Sequence, residues 1–135
     1  MNDVILNKTE VIERCVERIH EVYGGNSENL TNFTKQDSII LNIQRACEAS
    51  IDLAMFVVSK RKLGVPKSRH TAFQLLQEAK LMDTYLAESL IHIIRFLATA
   101  VHDYPTLDPD ILETFLEQYI GDFKSFAKVI LQLDI

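Results

Sequence analysis

From Leu86 to Val101 the chain is apolar around most of a helical circumference. Leu86, Leu90, Ile91, Ile93, Ile94, Phe96, Leu97, Ala98, Ala100 and Val101 leave only a narrow polar strip. A helix packed on one side needs about a three-in-seven apolar face. This stretch exceeds that, yet it contains Glu88, His92 and Arg95 and is too short to span a bilayer. It therefore requires other protein on more than one side. The favoured reading is burial in a bundle on one side and against a second copy on the other. A central core helix in a monomer is the alternative.

The rest of the chain supplies the bundle. Ile5, Thr9, Ile12, Cys15, Val16, Ile19 and Val22 recur at helical spacing and predict a first helix over about Asp3–Tyr23, stopped by Gly24-Gly25. A polar loop is expected over Asn26–Phe33. Thr34 reads as the cap of a second helix running to about Arg61, with Lys62-Leu-Gly-Val-Pro as its stop. Ser68 reads as the cap of a short third helix to about Ala79, and Asp83 as the cap of a fourth over about Thr84–His102. Asp108 with Pro109 opens a fifth over about Asp110–Leu133. No strand pattern competes. The expected fold is all-α, an antiparallel bundle of four long helices plus one short one, in a single domain over 1–135.

Composition removes several functional classes. Hydrophobic residues at 47% exclude a disordered chain, and a net charge of -5 argues against a broad basic surface for duplex nucleic acid. Cys15 and Cys47 lie on apolar stripes and read as buried free thiols, so nothing implies an oxidising compartment. The N-terminal residues lack a signal-peptide layout, which gives the expectation of a cytoplasmic protein without membrane attachment. His20, His70 and His92 show no ligand spacing, and neither a metal nor a cofactor is expected.

The chemistry-bearing run is Arg95-Phe-Leu-Ala-Thr-Ala-Val-His-Asp-Tyr104, ended by Pro105. It puts a cation, a group that titrates near neutral pH and a phenol at the rim of an apolar bundle. Arginine can hold a phosphate through two parallel hydrogen bonds, and histidine can move protons at neutral pH. Positions seven apart on a helix return to nearly the same face, about 10 Å along the axis, so Arg95 and His102 share a stripe.

With these residues in place, the chain resembles the HEPN-domain proteins of the HepT-like toxin group. The resemblance covers the whole chain, including Leu41-Asn-Ile-Gln-Arg-Ala-Cys-Glu-Ala-Ser-Ile-Asp-Leu-Ala in helix two and Ala-Val-His-Asp-Tyr at the end of helix four. The group's signature is an arginine, four to six residues, a histidine, any residue and a tyrosine, which Arg95, His102, Asp103 and Tyr104 satisfy with a gap of six. Members usually have a gap of four; here Leu97 stands at that arginine position, so either Arg95 takes over the role or the site is weakened. The resemblance implies a metal-independent ribonuclease toxin whose two protomers meet at a shared cleft. His102 is the implied general base or acid, Arg95 the phosphate clamp and Tyr104 a positioning residue. It further implies RNA as substrate, and as partner a minimal nucleotidyltransferase antitoxin that attaches AMP to Tyr104. The alternative is a bundle with a degraded site that binds a nucleotidyltransferase without catalysis.

Arg45, Glu48 and Asp52 lie three and four apart on one face of helix two. The plainer expectation is an intrahelical ion-pair ladder; the functional one is a set of residues orienting the motif arginine or histidine. For Arg95 the plainer expectation is a salt bridge to Glu88 or helix two. His92 reads as a packed or interface histidine. Lys60-Arg61-Lys62 with Lys67 and Arg69 reads as a solvated helix end, or as a weak attractor of RNA.

Overall fold

The computed structural model describes residues 2–103 and 107–133, the side chains of 101–103 excepted. Five α-helices follow one another: α1 (Asp3–Tyr23), α2 (Phe33–Arg61), α3 (Ala72–Glu78), α4 (Thr84–Asp103) and α5 (Pro109–Leu131). Among the described residues there is no strand.

Local chemistry sets the helix ends. The Asn2 side chain accepts from the Val4 amide at 2.8 Å to open α1, and Gly24 closes it in a left-handed conformation (φ 60°), its amide bonded to the His20 carbonyl. Helix α2 starts earlier than expected. Asn32, not Thr34, is the cap, its side chain accepting from the Lys35 amide at 3.0 Å. The expected polar loop before it contains a 3₁₀ turn over Ser27–Thr31, capped by Asn26. That turn buries Leu30 completely, and the Gln36 amide fastens it by donating to the Leu30 carbonyl at 3.1 Å. Lys62 ends α2 in the left-handed region (φ 55°). Ser68 caps a 3₁₀ turn over Arg69–Thr71 that leads into α3. The Asp83 side chain accepts from the Leu86 amide at 2.8 Å at the start of α4, and Asp108 accepts from the Asp110 amide at 2.8 Å ahead of Pro109.

Cross-helix contacts fix the directions. Lys8 near the start of α1 meets Asp52 late in α2, and Tyr23 at the end of α1 meets Glu113 and Glu117 early in α5. Ser89 meets Asp122, and Phe96 meets Phe115. Neighbours α1 and α2, α1 and α5, and α4 and α5 are therefore antiparallel. The core joins all five helices through fully buried Ile12, Ile43, Leu53, Phe73, Ile93 and Phe126. Helix α4 is covered unevenly. Leu86, Ala87, Leu90, Ile91 and Ile93 are buried, whereas Ile94, Phe96 and Leu97 are half-buried and Ala98 is exposed.

Candidate active site on helix four and the groove beside it

Arg95 is exposed in the second half of α4. Among the described residues it makes no ion pair, so the expected bridge to Glu88 or to α2 is not formed; its carbonyl accepts from the Thr99 hydroxyl at 3.3 Å. The guanidinium is left available. Leu97, two residues on, packs half-buried against the core. The α4 backbone stays helical through Asp103. The side chain of His102 and all of Tyr104 lie outside the described residues.

Sequence reasoning missed a groove between α4 and α5 that runs along the same helix. One half, of about 250 Å³, is lined by Tyr85, Glu88, Ser89, His92, Gln118 and Tyr119. The other, of about 340 Å³, shares His92 and Gln118 and adds Phe96, Asp110, Ile111, Thr114 and Phe115. Rings form its floor. His92 stacks on Tyr119 (centroids 4.8 Å, 26° between planes) and Phe96 on Phe115 (3.9 Å, 9°), with Tyr119 5.4 Å from Phe115. The Ser89 hydroxyl donates to Asp122 between the helices. The expectation of a packed His92 holds on its Tyr119 side, while the residue remains exposed. The available signal was two aromatic pairs at i,i+4, His92/Phe96 on one helix and Phe115/Tyr119 on the next.

The expected Arg45–Glu48–Asp52 ladder is not what forms. Glu48 and Asp52 turn outward to Arg69 from the loop before α3, at 3.1 and 2.8 Å, and Lys8 of α1 takes the other oxygen of Asp52 at 3.1 Å. One cation reaching from the 3₁₀ turn meets two carboxylates at once, so Arg69 stays exposed to solvent but is paired with acids of α2. Arg45 lies near Cys15 instead. Burial raises the Cys15 thiol pKa, and the positive charge of Arg45 partly offsets the rise. None of the three touches Arg95 through a hydrogen bond or ion pair among the described residues. Among the described residues, no three or more His, Cys, Asp or Glu side chains gather in a way that could hold a metal ion.

The Ribonuclease HepT-like family matches residues 12–130. The chain belongs to that family. A HepT-like relative, the mRNA nuclease HepT of Shewanella oneidensis, is 42% identical over 130 residues, covering 96% of this chain and 98% of the relative. The fold agrees with solved HepT-like toxins. A tri-AMPylated Shewanella oneidensis HEPN toxin in complex with MNT antitoxin superposes with a TM-score of 0.91 at 41% identity, over 98% of this chain and 100% of that one. A toxin–antitoxin structure with AMP-PNP gives 0.89 at 41% identity, over 96% and 99%. The all-α bundle and the resemblance to the HepT-like group are both established by these matches. No described helix is long and apolar enough to cross a membrane.

Proposed function

We propose that this HepT-like chain is an endoribonuclease toxin that cuts RNA without a metal at an Arg95/His102 site. The observation that carries the reading is end-to-end similarity to a protein named mRNA nuclease HepT, together with an exposed Arg95 on α4 that makes no ion pair among the described residues. His102 takes the proton from a ribose 2′-hydroxyl. The freed oxygen attacks the adjacent phosphorus, the bond to the 5′ oxygen breaks, and that oxygen leaves with a proton from water. Arg95 meets the charge that builds on the phosphoryl oxygens. The products are a cyclic 2′,3′-phosphate and a 5′-hydroxyl.

Two copies form the working unit in the cytoplasm. Half-buried Ile94 and Leu97 with exposed Ala98 give α4 an aliphatic face suited to a second copy. A minimal nucleotidyltransferase is the antitoxin, as the complexes of the similar toxins support. Its reaction joins the Tyr104 phenol oxygen to the α-phosphorus of ATP, releases pyrophosphate and gives the phenolic proton to solvent. The resulting anion repels the RNA phosphate.

Leu97 favours a second reading, a non-catalytic partner of the nucleotidyltransferase, because the position usually held by the motif arginine packs against the core. Cleavage of a mixed RNA pool by the purified chain without divalent metal, beside His102→Ala and Arg95→Ala, separates the two. Cleavage lost in both variants supports the ribonuclease. An inert parent chain, dimeric and free of AMP on Tyr104, supports the binding partner.

A further inference from the structure

The rings of the α4–α5 groove are only partly used by packing. Tyr85 is 65% exposed, and His92 keeps its outer face open while stacked on Tyr119. Tyr85, His92 and Thr99 recur every seven residues and form one stripe of α4, with Arg95 on its border. Along the axis, His92 precedes Arg95 by about 4.5 Å and Tyr85 precedes it by about 15 Å. The groove therefore leads to the candidate phosphate clamp. The aliphatic face of Ile94, Leu97 and Ala98 lies round the opposite side of the helix, so a second copy seated there leaves the groove open.

Its chemistry selects among occupants. Carboxylates of Glu88 and Asp110 stand in the groove wall and disfavour phosphate inside it. The cation stands on the edge. The Gln118 amide, which lines both halves, donates and accepts. An extended chain with anions on one side and flat, hydrogen-bonding rings on the other matches this division. Single-stranded RNA has that form and is commonly bound by stacking its bases on tyrosine, histidine and phenylalanine.

We infer that the α4–α5 groove is a base-stacking subsite, in which unpaired bases flanking the cut phosphate lie on His92 and Tyr85 while the phosphates follow the Arg95 edge. The inference rests on the proposed RNA cleavage. Its test uses the full chain and a fluorescein-labelled single-stranded RNA with 2′-O-methyl groups, which lacks the attacking hydroxyl and so reports binding alone. The unmodified oligonucleotide gives kcat and KM. Tyr85→Ala and His92→Ala are expected to weaken binding and raise KM about five- to hundred-fold, with a much smaller change in kcat. His92→Phe keeps a ring in place and should stay close to the parent. Unchanged binding and KM in both alanine variants would overturn the subsite. So would a shift in their sedimentation, which would make the groove an interface between copies. A parent that binds the 2′-O-methyl RNA through these residues but cuts nothing refutes the ribonuclease and leaves the subsite standing. A parent that cuts RNA, matched by both alanine variants, refutes the subsite alone.

Discussion

Tyr23, the last residue of α1, places its phenolic oxygen 2.7 Å from Glu117 and 2.9 Å from Glu113, two carboxylates one turn apart on α5. One proton serves both. The bond to Glu117, burial and the bond to Glu113 hold the phenol pKa above its ordinary range. Bonds from Ser27 and Tyr23 hold the Glu113 carboxyl below its own. The depressed carboxylate contributes stability above the normal carboxylate pKa that is lost as pH falls through its folded value. The raised phenol contributes below the normal phenol pKa, and that is lost as pH rises toward its folded value. Tyr23→Phe should therefore lower Tm by a few degrees at neutral pH, and the gap to the parent should narrow below about pH 4 and above about pH 10. Thermal melts across pH check this, and a constant gap would refute it.

Phe73 of α3 meets Phe126 of α5 edge-on, centroids 5.4 Å apart, and both are fully buried. The seven-residue α3 is too short to hold itself as a helix, so this contact does much to seat it. Phe73→Ala should cost about 3–5 kcal/mol, read by urea denaturation. A loss under about 1 kcal/mol would mean that α3 packs independently of this ring.

Cys15 and Cys47 are buried, and burial pushes the Cys47 thiol up to about 12. Thiolate is the reactive form, so neither residue should react with a disulfide reagent at neutral pH until the chain unfolds. Ellman's assay with and without denaturant reads this directly; rapid labelling of the native protein would contradict it.

For the motif, His102→Ala should reduce RNA cleavage by about 10²–10⁴-fold. Arg95→Ala should reduce it by about 10²–10³-fold, the range for losing one transition-state donor. Arg95→Lys should recover only part, since an ammonium cannot offer the two-pronged contact. Single-turnover rates on one defined RNA give all three numbers, and an Arg95→Ala variant as fast as the parent would move the cation elsewhere.

Incubation with the partner nucleotidyltransferase and ATP should add AMP to the parent chain and none to Tyr104→Phe, by intact-protein mass. Adducts of equal number on both chains would place the modification on another residue.

Much of this fold was legible because helix ends carry side-chain signals. Gly24 after Tyr23, and Asp108 ahead of Pro109, place boundaries within a residue or two. Asn32 was missed because the apolar Phe33 after it reads as loop, although it is an exposed first helical residue. The Ser27–Thr31 turn is too short to show a period, and only the buried Leu30 betrays it. Arg69 reaching Glu48 and Asp52 is a contact across sequence, invisible to spacing along one helix. For the site, sequence placed Arg95 on α4 but offered it a salt bridge that the structure does not form. The groove needed two helices brought together before His92 and Tyr119 became one feature.

The paired rings that join α4 to α5 have a mechanical consequence. Phe96 on Phe115 and His92 on Tyr119 pin α4 immediately after Arg95 and one turn before it. An arginine mounted between two such rivets keeps its backbone still, so only its side chain can adjust. The flexible party in any encounter is then the incoming strand, which must curve to meet a fixed charge. Stiff, base-paired stems should be poor fits for such a seat, and looped or unpaired stretches good ones.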